Sequence, residues 1–189
     1  MYSLFIDTHD KDIVLVLFKD EKVLASSIKT SERGHTEFIM PKLEALLKEQ
    51  NVRVHDLSEI LVVNGPGSFT GVRLGVTIAK TLAYTLQIPI KTITSLEAYA
   101  VSDAYMGEKL MVIHDVKGVY GSVFEENEQK GEAFYLANQD FETVKAKYSH
   151  IIESTSLDFE KIRAYMKEKK AIPAHQVKPL YVKVIEALK

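Results

Sequence analysis

The residues best placed to do chemistry lie between Asn64 and Gly75, where the chain runs Asn-Gly-Pro-Gly-Ser-Phe-Thr-Gly-Val-Arg-Leu-Gly. Four of the nine glycines, Gly65, Gly67, Gly71 and Gly75, fall in this stretch. A strand, a glycine-rich turn and a helix in succession aim backbone N–H groups and a positive helix end at an anion, and Ser68, Thr70 and Arg73 could support such a site. The same order lets two backbones pass close together. Three strict templates fail on spacing. Gly71 is followed by Val72-Arg73 rather than by Lys and Ser or Thr, so the P-loop is excluded. The third glycine comes one residue late for the dinucleotide fingerprint. Pro66 and Thr70 stand where a Gly-x-Ser-x-Gly elbow needs glycines. A looser anion site over Gly67, Ser68 and Thr70 stays open.

Two histidines add candidates. His35 precedes a predicted helix and could act as a ligand or base with Asp7, although a lone histidine there also serves capping or packing. His114-Asp115 has the composition of an acid–base pair, but adjacent residues at a strand end point to opposite faces, which argues against joint action. No His-Glu-x-x-His occurs, which removes a zinc-protease reading.

The elements that position these residues follow from periodicity. Leu4-Phe5-Ile6, the continuous apolar run 13–18 and the segment 23–28 predict three strands with short connections, an antiparallel meander ending its first strand at Asp7. Ile39, Leu43, Leu46 and Leu47 recur at helical spacing over about 36–50, with Pro41 predicting a kink or an irregular first turn. The apolar run 59–63 is a fourth strand, and a helix spans about 72–86. A fifth strand near 91–93 precedes a short helix capped by Ser95. Beyond Gly107 the pattern weakens: strands at 110–113 and 119–124, weaker ones at 131–136 and 151–152, a charged helix near 141–147 and a last helix at about 159–169. The order is that of a mixed sheet flanked by helices, an α/β fold of the RNase H-like or actin-like kind. We divide it into an N-terminal lobe, 1–106, and a smaller C-terminal lobe, 107–189.

Composition bounds the function. The chain of 189 residues is 46% hydrophobic and 26% charged, the balance of a globular protein, and its net charge of −2 gives no bulk attraction to nucleic acid or anionic lipid. It has no cysteine, which excludes disulfides, thiolate metal sites and a cysteine nucleophile. The N-terminus has neither the basic region nor the apolar length of a signal peptide, and no uncharged run spans a bilayer. The expectation is a cytoplasmic protein without a membrane partner.

The helix after the glycine turn is the more telling half of that region. Gly71, Gly75, Ala79 and Ala83 are spaced four apart and form a stripe of small residues, at a cost of about 1 kcal/mol in helix propensity at Gly75. Leu74, Ile78, Leu82 and Leu86 form a neighbouring apolar face. One face is explained by packing within the chain; the second suggests a protein partner. The expected partner interface comprises Ile39, Leu43, Leu46, Gly71, Leu74, Gly75, Ile78, Ala79, Leu82 and Ala83.

The stretch Asn64–Gly75 closely resembles the signature of the bacterial TsaB (YeaZ) family. Ile6-Asp7-Thr8 is similar to the family's first strand and Asp-Thr-Ser turn. Arg33-Gly34-His35-Thr36-Glu37 through Pro41 resembles its Arg-x-His-Ser-Glu helix start, and Ser95-Leu96-Glu97-Ala98 its third helix. Asp115 with Val119-Tyr120, and Pro179-Leu180-Tyr181-Val182-Lys183, resemble weaker markers of its second half. The resemblance covers residues 1 to about 106 well and the remainder thinly. It implies two actin-like lobes and a non-catalytic subunit in synthesis of threonylcarbamoyladenosine, the tRNA modification beside the anticodon; the segment Asp115–Tyr120 departs from the family in being tighter than its Asp-Ala-Arg-rich strand turn, which points to a reduced second lobe. It also implies pairing with the catalytic paralogue TsaD, recruitment of the ATPase TsaE, a homodimer through the same helices when alone, and only indirect contact with tRNA.

Residue by residue, the resemblance implies no catalytic group and no bound cofactor. Catalytic relatives carry two metal-binding histidines where Ser95 and Tyr99 stand, so that metal site is lost. Active actin-like proteins place a carboxylate near magnesium and phosphate where Asp7 stands; the local alternative is a turn aspartate bonded to nearby backbone. His9-Asp10 replaces the small Ser-Thr usual in that turn. The competing reading is an actin-like nucleotide hydrolase using Asp7 and the Gly65–Thr70 turn, with contacts from Gly67, Ser68 and Thr70. Direct tRNA binding is a weaker third, given the charge and the lack of a basic, aromatic-laced strip.

Overall fold

In the computed structural model, which describes residues 1–30, 35–153 and 156–182, strands β1 (Tyr2–Asp7), β2 (Asp12–Lys19) and β3 (Lys22–Thr30) form the expected meander. Helix α1 (His35–Glu49) leads to β4 (Leu57–Val63), α2 (Phe69–Leu86), β5 (Ile90–Ile93) and α3 (Ser95–Ser102). The sheet order is β3-β2-β1-β4-β5, with β1 antiparallel to β2 and parallel to β4. That is the RNase H-like order, reached by two helical crossovers after a meander. Side chains alternate across the sheet: Leu4, Ile6, Ile13, Leu15 and Leu17 meet α1 and α2 on one face. Phe5, Val14, Val16, Phe18 and Leu61 face the other way.

The second sheet repeats part of this plan. Strands β6 (Lys109–His114), β7 (Gly118–Glu125) and β8 (Glu128–Ala137) form a second meander, followed by α4 (Asn138–Lys145) and β9 (Ile151–Glu153). Their order, β8-β7-β6-β9, matches four of the five strands of the first sheet. Among the described residues nothing corresponds to β5 or to α2, so this lobe is a reduced copy.

Helix α5 (Phe159–Glu168) follows β9 but covers the first sheet, where Ile162 and Met166 are buried against the Phe5 side. Buried charge fixes it there. Arg163 Nη1 donates to Glu59 Oε2 at 2.9 Å, and Lys91 Nζ lies 3.1 Å from Glu59 Oε1. The tail then crosses to the opposite face: Ile172 bridges Ile90 at the sheet edge, and Val177 is buried against α2. No helix among the described residues is long and apolar enough to cross a membrane.

Three boundaries differ from the sequence expectation. Helix α2 begins at Phe69 rather than near Val72, because Ser68 Oγ accepts from the Gly71 N–H and caps it. Thr94, not Ser95, caps α3, through a reciprocal box in which Thr94 Oγ1 accepts from the Glu97 N–H and Glu97 Oε2 accepts from the Thr94 N–H. Strand β8 runs from Glu128, longer than its weak pattern suggested. Residues 31–34 and the side chain of His35 lie outside the described residues, so the proposed pairing of His35 with Asp7 does too.

Candidate functional site

The glycine turn and the turn after β1 interlock. Gly67 and Gly71 lie so close to the β1–β2 turn that a Cβ on either would collide with the carbonyl oxygen of His9 or Thr8. A Cβ on Gly75 would strike Thr8 Oγ1, which itself donates to the Gly71 carbonyl at 2.7 Å. Gly65, at φ +103°, holds a conformation that favours glycine and lies beside the Leu180 carbonyl. Of the two uses open to a strand–glycine–helix unit, close backbone passage is the one this chain adopts.

Three of the N–H groups around the turn have acceptors within the chain. The Ser68 N–H donates to the His9 carbonyl at 2.6 Å, the Gly71 N–H to Ser68 Oγ at 3.3 Å, and the Val72 N–H to the Ser68 carbonyl at 2.9 Å. Ser68 and Thr70 are exposed side chains, while Gly67 faces the His9 backbone.

Beneath this turn lies a buried polar chain that the sequence does not display. Asp7 Oδ1 accepts from the His9 backbone N–H at 2.9 Å and sits 2.7 Å from His9 Nδ1. On the other side of the ring, His9 Nε2 is 3.4 Å from the Tyr99 hydroxyl, with the two rings edge to face. Both Asp7 and His9 are buried. Burial disfavours a charged imidazole, but the Asp7 carboxylate, with help from Asp10 and Asp12, outweighs it and raises the His9 pKa. Burial and the same carboxylates push the Tyr99 phenol well above its ordinary value. Oδ1 of Asp7 is thus engaged by the chain's own imidazole and backbone. Ser95 and Tyr99 are occupied likewise: Ser95 Oγ donates to the Pro66 carbonyl.

His114 and Asp115 part company as their strand position requires. His114 Nε2 lies 3.0 Å from Glu153 Oε2 across to β9, while Asp115 Oδ2 accepts from the Tyr135 hydroxyl at 3.1 Å.

The ten residues expected at a partner interface divide by burial. Ile39, Leu43, Leu46, Gly71, Gly75, Ala79 and Ala83 are all buried inside this chain, and Leu74, Ile78 and Leu82 are half-buried. The small-residue stripe is buried rather than a surface, and at Gly71 and Gly75 Thr8, just after β1, occupies the space that the missing side chains leave. What faces outward on α2 is different: Thr77, Thr81, Tyr84 and Thr85 are exposed, with Leu74 and Ile78 alongside. Arg73 and Lys80 are the only charged residues among its 18. By contrast, α1 exposes Glu37, Glu44, Lys48 and Glu49, and α5 exposes Glu160, Lys161, Lys167 and Glu168. A long exposed face depleted of charge is characteristic of the core of a protein interface.

At one end of that face stands a cluster of exposed side chains. The Arg73 guanidinium lies 3.7 Å over the Phe69 ring, and its Nε donates to the Tyr181 hydroxyl at 2.7 Å. Tyr181 comes from the tail, which Asn64 holds by donating Nδ2 to the Lys178 carbonyl and accepting from the Leu180 N–H. Sequence reading singled out Arg73 and the Pro179–Lys183 run separately; nothing local in either announces that they meet.

The family model for TsaD, tRNA N6-adenosine threonylcarbamoyltransferase, matches residues 22–116. The chain is 38% identical over 117 residues to the Bacillus subtilis tRNA threonylcarbamoyladenosine biosynthesis protein TsaB, covering 62% of this chain and 51% of that protein. It is 33% identical over 100 residues to the Escherichia coli protein of the same name, covering 53% and 43%. The chain therefore spans about half the length of the curated relatives it matches. A crystal structure of a Pseudomonas aeruginosa protein described as similar to peptidase YeaZ superposes with a TM-score of 0.78 at 20% identity, over 96% of this chain and 99% of that one. This likeness establishes the fold.

Proposed function

The chain belongs to the TsaB (YeaZ) branch of the family that the TsaD model describes, and on that premise we propose that it is a non-catalytic docking subunit in the synthesis of threonylcarbamoyladenosine in tRNA. Its partner is a TsaD-like catalytic paralogue, with a TsaE-like ATPase recruited to the pair and tRNA contacted through them. The observation that carries this reading is the outward side of α2, an exposed helix face from Arg73 to Thr85 whose charges are confined to Arg73 and the half-buried Lys80. The self-satisfied turn supports it: Asp7 is bonded to His9, and the Ser68 and Gly71 N–H groups have internal acceptors. An actin-like hydrolase needs such N–H groups free for phosphate and the carboxylate free for magnesium. The same α2 face serves a homodimer when the partner is absent.

Co-purification with TsaD-like and TsaE-like proteins, followed by tRNA modification with each omitted in turn, tests the reading. Modification requires this chain, and Thr81→Glu abolishes partner binding while the circular dichroism spectrum stays native. Nucleotide turnover by this chain alone, lost in Asp7→Ala, would instead establish the hydrolase.

A further inference from the structure

The joint between the two lobes is built around a buried charge. Helix α3 lies between the sheets, with Ala98 and Val101 packed in the core of the first and Leu96 and Ala100 packed with Met111, Ile113 and Phe124 of the second. Apolar packing has no preferred direction, so by itself it lets a helix slide against a sheet. The chain crosses from one lobe to the other at residues 103–108, and a short link of this kind is the ordinary place for a hinge.

Here the link is tied down at both ends. Lys109, the first residue of β6, is fully buried. Its Nζ donates to the Tyr105 carbonyl at 2.6 Å and to the Ala100 carbonyl at 2.8 Å, and it lies 3.2 Å from both Asp103 Oδ2 and Asn127 Oδ1. These four oxygens come from the last turn of α3, from the link itself and from the β7–β8 turn. Two more contacts hold the link to the second lobe: the Glu126 N–H donates to the Met106 carbonyl at 2.8 Å, and the Tyr105 ring stacks on His150 with centroids 3.9 Å apart. The end of α3 is fixed to α5 as well, since Lys161 Nζ donates to the Ser102 carbonyl at 3.1 Å and the Asp158 N–H to Ser102 Oγ at 2.9 Å.

Hydrogen bonds are directional where apolar packing is not. Any rotation or shear that parts Asn127 from the end of α3 takes acceptors away from an ammonium that water does not reach. We infer that Lys109 is a lock between the lobes: its ammonium pins the end of α3, the link and the β7–β8 turn together, so that the two sheets keep one relative orientation and the chain acts as a rigid body rather than as a clamp. The lock does not depend on the docking reading, because a partner could seat on a rigid or a hinged chain alike.

Distances between two spin labels test the inference. The chain has no cysteine of its own, so Ser26→Cys on β3 and Glu132→Cys on β8, both exposed positions, place one label on each lobe. Pulsed double electron–electron resonance is then recorded in this labelled background, in Lys109→Met and in Asn127→Ala. The expected result is a single narrow distance distribution in the background. Lys109→Met, which keeps the length of the side chain and loses its charge, broadens or splits that distribution, and Asn127→Ala broadens it less. Amide exchange in β6 to β9 rises at least about tenfold in Lys109→Met while β1 to β5 keep their protection. A broad or two-peaked distribution in the background would mean that the lobes hinge in spite of the tie, and the inference is wrong. An unchanged narrow distribution in Lys109→Met would mean that apolar packing alone holds the lobes, which also overturns it. Should Lys109→Met fail to fold, Asn127→Ala, which leaves Lys109 paired with Asp103, decides by the same two outcomes. Binding of Thr81→Glu to the partner tests the docking reading separately.

Discussion

The hairpin after β1 is buried beneath the start of α2, whereas the equivalent hairpin after β6 stands in solvent. Both follow the first strand of a meander, and both carry an Asp and a His. In the first lobe Asp7 and His9 pair at 2.7 Å out of water. In the second, His114 is exposed, Asp115 bonds outward to Tyr135, and Val116 at the tip is 91% exposed. The strands are not what differs. The first lobe has a glycine-started helix that can descend onto its hairpin, and the second has no counterpart of it among the described residues. Whether a turn of this fold is open or sealed is thus decided by the helix two elements further on.

That contrast can be broken at three strengths. Gly75→Leu drives a side chain into Thr8, where even a Cβ has no room, and is expected to leave the protein insoluble or without a cooperative urea transition; a soluble, wild-type-like variant would mean the seam is loose. Next comes a matched pair. Asp7→Ala strips the partner from a buried imidazole and is expected to cost about 3 kcal/mol in urea unfolding. Asp115→Ala, losing one half-buried hydrogen bond, costs about 1 kcal/mol or less. Equal losses would erase the distinction between the two hairpins. The subtlest effect is in pH. Because the folded His9 pKa is raised above its unfolded value of 6.5, the Asp7–His9 pair contributes fully below about pH 6.5 and is lost as pH rises through the folded pKa. Stability relative to His9→Gln should therefore shrink from pH 6 to pH 9, and a constant difference would show that the ring does not titrate against Asp7.

Much of the fold was legible in the sequence because its signals are local. The short polar turn between 18 and 23 allows only a meander, and the apolar run at 59–63 followed by a long periodic stretch allows only a strand and a helix. Spacing also told correctly that Gly71, Gly75, Ala79 and Ala83 share a face. It could not tell what lies against its two glycines, since the answer is the Thr8 carbonyl and hydroxyl more than sixty residues earlier. His9 was visible as a departure in the first turn, but Tyr99, ninety residues away, gives it meaning. Likewise the apolar side of α5 was readable from Phe159, Ile162, Tyr165 and Met166. Its target was not, because Arg163 finds Glu59 across the whole chain.

The return of α5 and the tail to the first sheet has a consequence for synthesis on the ribosome. One face of that sheet awaits Ile162 and Met166, the other awaits Val177, and Arg73 awaits Tyr181. A nascent chain that has released only β1 to α3 holds five paired strands with the seats of Ile162 and Met166 on one face and of Val177 on the other still uncovered. The first lobe to be made is therefore finished only once α5 and the tail have emerged, and the two lobes complete together.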